Sequence, residues 1–288
     1  DIGVFTNLSH DHLDYHTDIN EYFETKCSLF TSDRCRAAVI NTDDPYGSRL
    51  AEQVEIKSVE VSRRGIELVS ESFTGTTLLW GGRKVELEIS GRFNIDNVLL
   101  AASTCQLFGI EEEDIISGLE SADPIPGRFE VLEGSEETPT VIVDYSHTPA
   151  GIENVLQAIR RINPEARTSI VFGCGGGRDR GKRPEMGRVA EDGADQVVVT
   201  SDNPRGEPPE GVIADILTGM KHPPTLVEPD RRRAIAGALG LAGRTDLVLL
   251  AGRGHETVQE LGDERISFDD RIVAREEWDV IAVGRGDG

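Results

Sequence analysis

Five short apolar runs recur through the second half of the chain, and they constrain its fold more than any other feature. They are Val141-Ile142-Val143, Ser169-Ile170-Val171-Phe172, Gln196-Val197-Val198-Val199-Thr200, Leu226-Val227 and Leu247-Val248-Leu249-Leu250-Ala251. Runs this short, mostly β-branched or leucine-rich, suit strands buried on both faces. Helical patterns separate them. Thr148-Pro149 offers an N-cap followed by proline at the first helical position, and Ile152, Val155, Leu156 and Ile159 then fall on one stripe. Residues 184–194, 209–220 and 230–241 read as the next helices. This repetition predicts a mostly parallel sheet with right-handed crossovers, and ligands at the carboxyl ends of its strands.

The first part is less regular. Residues 2–5 and 37–40 read as strands and 19–30 as a helix. Residues 54–62, 76–80 and 85–90 alternate like β-ribbon, with Gly81-Gly82 as a turn. Residues 93–108 form a helical pattern closed by Gly109, and 111–122 another with acidic residues in its first turn. Asp123-Pro124-Ile125-Pro126-Gly127 is the best linker. The boundary is drawn there, giving domains 1–124 and 125–288. The chain opens on Asp1 directly before an apolar run, so the expectation is a chain cut inside a larger protein.

Composition excludes several function classes. With 52 acidic and 30 basic residues the net charge is −22, which repels a phosphate backbone and an anionic membrane surface. No apolar run approaches the roughly 20 residues of a membrane helix. The four cysteines form no C-x-x-C pair, which disfavours a disulfide framework and a zinc ribbon. A reducing, cytoplasmic compartment is expected.

Candidate chemistry follows the strands. His10, Asp11, His12, Asp14 and His16 crowd the segment after the first strand. Carboxylates suit Mg²⁺ and imidazoles suit Zn²⁺ or other transition metals, while a solvated polar loop uses the same residue types. Lys26 lies on a helix with Tyr22, Phe23, Leu29 and Phe30; there a lysine snorkels to water or, if buried, becomes a neutral amine. Gly176 to Lys182 satisfies G-x-x-x-x-G-K, but Arg183 stands where a phosphate loop needs Ser or Thr, and G-x-G-x-x-G is absent. A flexible basic loop remains, with Arg178, Arg180, Lys182 and Arg183 suited to a carboxylate or phosphate. Three further strand-end segments are Asp144-Tyr145-Ser146-His147-Thr148-Pro149, Ser201-Asp202-Asn203-Pro204-Arg205 and Gly252-Arg253-Gly254-His255-Glu256. Singly each is turn chemistry. Together they complement a zwitterionic, amino-acid-like ligand, with Arg for its carboxylate and Glu for its ammonium.

These segments, with Thr6-Asn7-Leu8-Ser9 before the histidine cluster, Gly91-Arg92-Phe93-Asn94-Ile95-Asp96-Asn97 and Pro126-Gly127-Arg128-Phe129-Glu130, occur in an order that resembles the Mur ligase family. The resemblance covers essentially the whole chain. It implies an α/β chain: the remnant of a P-loop-type central ATPase domain, then a Rossmann-like, amino-acid-binding C-terminal domain with a mostly parallel sheet. The implied activity is ATP-dependent amide bond formation in peptidoglycan synthesis. ATP and Mg²⁺ are the implied cofactors. The small-molecule partners are UDP-N-acetylmuramoyl-L-alanyl-D-glutamate and meso-diaminopimelate; a monomer without nucleic-acid or membrane partners is expected. Asp202-Asn203-Pro204-Arg205 resembles the members that take diaminopimelate rather than lysine.

By the same resemblance, His12 is a Mg²⁺ ligand and Lys26, as a carbamate, a second metal-holding and catalytic group. Asn94 and Asn97 resemble the adenine contact, Arg128 a contact to the nucleotide phosphates and Asp144 the ribose contact. Arg178, Asn203, Arg205, Gly252 and Glu256 resemble the diaminopimelate pocket. His10 replaces the family's usual Arg, which weakens any contact that Arg makes. The family's uridine-nucleotide domain and phosphate loop lie upstream of Asp1, so this chain alone is expected not to catalyse ligation. The rival readings are a non-catalytic amino-acid- or nucleotide-binding fragment, a lysine-adding ligase, and a Rossmann oxidoreductase, the last disfavoured by the missing glycine fingerprint.

Overall fold

A computed structural model of the protein describes residues 1–9, 15–132, 134 and 138–286. Contacts divide the chain into two compact units, Asp1–Pro124 and Ile125–Gly288.

In the first unit, β1 (Ile2–Phe5), β2 (Ala37–Asn41) and β3 (Lys57–Val61) form a parallel sheet in that order. β2 is central and buried throughout. Ala38 and Ile40 pack with Phe23 of α1 (Ile19–Cys27) and Leu50 of α2 (Pro45–Gln53). Val39 packs on the other side, with Ile95, Val98 and Leu99 of α3 (Arg92–Leu107) and Ile116 of α4 (Glu112–Glu120). That second cluster also takes Leu78, Val85 and Leu87 from an antiparallel meander of β4 (Glu67–Glu71), β5 (Thr76–Trp80) and β6 (Arg83–Leu87).

Three readings are corrected here. Residues 54–62 do not join the ribbon; their alternation belongs to β3, an edge strand of the parallel sheet that is buried on one side only. The ribbon's first strand is β4, whose period-two signal is broken by a register shift between Leu68 and Ser70. The helix expected to reach Phe30 stops at Cys27. Beyond it the backbone closes tighter bonds, Leu29 N–H to Lys26 O at 3.1 Å and Phe30 N–H to Cys27 O at 2.9 Å, which turn Phe30 into the core beside Phe5.

The second unit is built on a six-stranded sheet. Its strands are β7 (Glu130–Leu132), β8 (Thr140–Asp144), β9 (Thr168–Phe172), β10 (Gln196–Val199), β11 (Leu226–Val227) and β12 (Leu247–Ala251). Their order is β11-β10-β9-β12-β8-β7, and every pairing is parallel except that of β7. The α/β, Rossmann-like expectation for this part is borne out. α5 (Pro149–Ile162), α6 (Lys182–Gly193) and α7 (Pro209–Leu217) lie side by side. α8 (Arg231–Leu241) and α9 (Asp270–Gly286) pack on the face made by Val141, Val143, Val171, Val198, Val248 and Leu250.

β7, α9 and a hairpin of β13 (Val258–Leu261) and β14 (Glu264–Ser267) were not legible in the strand rhythm. α6 starts two residues before Pro184. Lys182 and Arg183 therefore sit in a helical first turn and are buried, not in a flexible basic loop. No helix among the described residues is long and apolar enough to cross a membrane.

Candidate functional site

In the second unit the loops after β8, β9, β10 and β12 stand at the carboxyl edge of one sheet. β12 lies between β8 and β9, so its loop is flanked on both sides. Three glycines fit this rim as no other residue does. Gly252 has φ +107°, and a Cβ there would meet Asp202 Oδ2 at 2.9 Å. Gly127, at φ +68°, lies so close to the Gly254–His255 backbone that a Cβ would meet His255 N at 2.1 Å. Gly176 rests on Pro204, whose carbonyl oxygen would lie 1.9 Å from a Cβ.

Asn203 and Glu256, expected in one pocket, are brought together. Asn203 Nδ2 donates to Glu256 Oε2 at 2.9 Å. Asn203 Oδ1 accepts from Arg253 Nη1 at 3.0 Å and from the Glu260 N–H at 2.9 Å. Arg205 takes a left-handed φ of +52°. It is already engaged, through Nε on Glu260 Oε2 at 3.1 Å and Nη1 on Gly176 O at 2.9 Å. Arg205, expected to bind a substrate carboxylate, is placed as a tie between β13 and the Gly-rich loop. Arg178 lies exposed on that loop.

The other cations of the loop are committed internally. Arg183 is fully buried and reaches Glu207 at 2.8 and 3.0 Å, Asp215 at 2.9 Å and Gly175 O at 3.3 Å. Glu207 also accepts the Gly177 N–H at 2.7 Å. The Arg183 guanidinium and that N–H hold the Glu207 carboxyl down at about 2. Arg180 pairs with Asp215 at 2.9 Å. Beneath the loop Cys174 is buried, its Sγ 3.5 Å from Met186 Sδ, and burial pushes its thiol up to about 12.

Asp144 does not face outward as a ribose contact would. It is buried, with Oδ2 accepting the Phe129 N–H and Oδ1 the Ser146 N–H, both at 2.7 Å. Burial raises its carboxyl above the ordinary range. Its visible work is to hold Phe129 at φ +50° and so to start β7. Arg128 lies over the Tyr145 ring at 4.5 Å, and His147 and His255 flank the same ring at 4.8 and 5.5 Å.

In the first unit, Lys26 is half-buried in the last turn of α1. Its Nζ lies 4.8 Å from the centre of the Tyr22 ring, which stacks on His16 at 4.8 Å. The full burial that the sequence left open for Lys26 is not observed. Asn94 is buried and donates to Ser90 O at 2.7 Å. Asn97 is exposed beside it and lines a surface groove of about 410 Å³ with Val4, Thr6, Leu100, Ala101, Thr104 and Cys105. His12, with His10, Asp11 and Asp14, lies outside the described residues. Among the described residues no group of three or more His, Cys, Asp or Glu side chains is placed to hold a metal ion.

Sequence reasoning missed Arg253, Glu207 and Glu260. Arg253 stood inside a segment already singled out; the two glutamates carried no local signal.

Residues 1–105 match the Mur ligase middle domain, and residues 127–254 match the Mur ligase glutamate ligase domain. A UDP-N-acetylmuramoyl-L-alanyl-D-glutamate--2,6-diaminopimelate ligase of Gloeobacter violaceus is 46% identical over 285 residues, 95% of this chain and 58% of that protein. The chain thus spans little more than half the length of the curated relatives it matches. A solved structure of a ligase with the same name is 33% identical, with a TM-score of 0.57, covering 98% of this chain and 61% of its own. Folylpolyglutamate synthase of Mycobacterium tuberculosis, solved with ADP and AMPPCP, shares the fold at 22% identity and a TM-score of 0.66, over 87% of this chain and 61% of its own. With both of its units matched to successive domains of one family, the chain belongs to the Mur ligases.

Proposed function

We propose that this chain is the middle and glutamate ligase portion of an enzyme that joins meso-diaminopimelate to UDP-N-acetylmuramoyl-L-alanyl-D-glutamate, with ATP as energy source. The observation that carries this reading is the Asn203–Glu256 pair at the sheet's carboxyl edge, beside the loops that bear Arg178 and Arg205. A carboxylate braced by one amide keeps lone pairs for an ammonium group, and guanidinia offer paired donors to a carboxylate. That set complements an amino acid with charges at both ends. Gly252 keeps the backbone close enough for such a ligand to approach.

ATP supplies the phosphoryl group that activates the D-glutamate side-chain carboxylate; the amine then forms the amide as phosphate leaves. Catalysis of this kind is mostly positioning and charge neutralisation. The groove beside Asn97 suits a flat heterocycle, with apolar Val4, Leu100 and Ala101 for its face and a carboxamide for its edge. Arg128, aligned on Tyr145, offers a cation to phosphates. Mg²⁺ would be held by His12 and by Lys26 as its carbamate. Carbamylation would take the unprotonated fraction of the Lys26 amine: Nζ bonds to the CO₂ carbon and gives up a proton to water, and its half-exposed place on the Tyr22 ring leaves it within reach of both. On this reading the enzyme acts in the cytoplasm, as a monomer, on small molecules.

The test uses the full-length protein that contains this chain. ADP release should require both the muramoyl dipeptide and meso-diaminopimelate. Arg205→Ala should lose most of kcat/KM for diaminopimelate, with activity on L-lysine little changed; discrimination at such a site reaches roughly 10⁴-fold. Turnover that ignores diaminopimelate would refute the reading.

A further inference from the structure

Among the described residues three large arginines, Arg183, Arg231 and Arg253, are fully buried, and one of them is unlike the others. Arg183 is neutralised by Glu207 and Asp215 within 3.0 Å. Arg231 makes a two-pronged pair with Asp270 at 2.8 and 2.6 Å. Arg253 has no such partner. Its nearest carboxylate, Glu256, is 3.6 Å from Nη1, beyond hydrogen-bond distance. Its donors go instead to Asn203 Oδ1 at 3.0 Å, Val258 O at 2.8 Å and Phe268 O at 3.2 Å, while its Nε, like that of Arg183, is buried without a partner. A guanidinium buried on these terms is costly, so it calls for a role other than stability.

We propose that Arg253 is a positioning residue for the amino-acid pocket, acting through the Asn203 carboxamide to hold the Glu256 carboxylate where a substrate ammonium is received. This rests on the pocket assignment made above. Asn203 Oδ1 is saturated by two donors, Arg253 Nη1 and the Glu260 N–H. That fixes which way the amide points and turns Nδ2 onto Glu256 Oε2. Without the guanidinium, the amide loses one of the two donors that set its direction. A flipped amide would face the carboxylate with its oxygen, two acceptors in opposition. Arg253 itself stays behind the pocket wall, held between the left-handed glycines Gly252 and Gly254 at the end of β12.

The test is a double-mutant cycle in the full-length protein, read as KM for meso-diaminopimelate and, separately, for ATP. Arg253→Lys keeps the charge but not the fork. It should raise KM for diaminopimelate at least tenfold and leave KM for ATP within twofold. Asn203→Ala should do the same. In the Asn203→Ala background, Arg253→Lys should add clearly less than in the parent, because only the direct 3.6 Å contact of Nη1 with Glu256 Oε2 is left. Phe268→Leu removes the ring 5.5 Å from the guanidinium and leaves its hydrogen bonds. It should raise KM two- to threefold in the parent and not in Asn203→Ala, so the cycle can still be read where Arg253→Lys does not fold. Additive losses, or equal losses for ATP, would overturn the inference while the pocket stands. A parent enzyme without diaminopimelate-dependent turnover would remove the pocket and the inference together.

Discussion

The two units hold their chemistry-bearing side chains in opposite ways. In the second, Asn203, Glu256 and Arg205 are fixed by a network that runs back to the buried Arg253. In the first, Lys26 rests on one ring and Asn97 stands at the edge of an open groove. In the second unit the rim side chains are tied to one another, which would lower the ordering cost of binding at the proposed site. In the first, Lys26 and Asn97 have only weak contacts, with the Tyr22 ring and with Asn94 Oδ1 at 3.5 Å. One chain thus combines a braced rim with a loosely held surface.

The largest break in this contrast should come from the buried pair behind the rim. Asp270→Ala strands Arg231 in the core, where removal of one partner costs about 3–5 kcal/mol. Each unit has one tryptophan, Trp80 in the first and Trp278 in the second. In a Trp80→Phe background, urea unfolding followed by Trp278 fluorescence should show the loss. A midpoint unchanged from the parent would mean the network adds no rigidity.

The next effect separates the units by the sign of their pH response. Burial raises Asp96, on α3, from 3.8 to about 6, despite Arg63 Nε at 2.7 Å. Its folded form keeps a proton that the unfolded chain has released, so its contribution is full below 3.8 and is lost as pH rises through about 6. Glu207 is lowered from 4.5 to about 2, so its contribution is present above 4.5 and is lost as pH falls through about 2. Relative to Asp96→Asn, the parent should weaken between pH 4 and 6 on the way up. Relative to Glu207→Gln, it should weaken between about 4.5 and 2 on the way down. Thermal melts of the two pairs across pH test this, and slopes of the same sign would erase the distinction.

The smallest effect is expected at Lys26. Lys26→Ala should change stability by no more than about 0.5 kcal/mol, as surface substitutions do. The same change in the full-length enzyme should abolish ligation, with partial recovery on adding short carboxylic acids. Normal activity without them would reduce Lys26 to a helix residue.

What the sequence discloses follows the same divide. Strands β8, β9, β10 and β12 are legible because burial on both faces makes them largely apolar, whereas the edge strand β11 leaves Val227 exposed against that expectation. β3 misleads because an edge strand alternates just as a ribbon does. Rim residues such as Asn203 and Glu256 are legible as polar residues directly after strands. Their supports are not: the ties Arg253–Asn203, Asn203–Glu256 and Arg205–Glu260 join residues 50, 53 and 55 apart, a distance no local pattern spans. The basic loop misled for a related reason, since Arg183 meets Glu207 and Asp215 only after folding.

The thiol beneath the Gly-rich loop turns that architecture into a question of time. Cys174 is 3% exposed and carries a thiol pushed up to about 12, so closed molecules present almost no thiolate to an alkylating reagent. Reaction must wait for a local opening that bares the thiol, which packs on Met186 of α6. Labelling of Cys174 is therefore a stopwatch on the packing behind the rim, running at the opening frequency when reagent is abundant. A ligand that seats on Arg178 and Arg205 should slow the clock, and a residue that does nothing chemical would then report how firmly the rim is held.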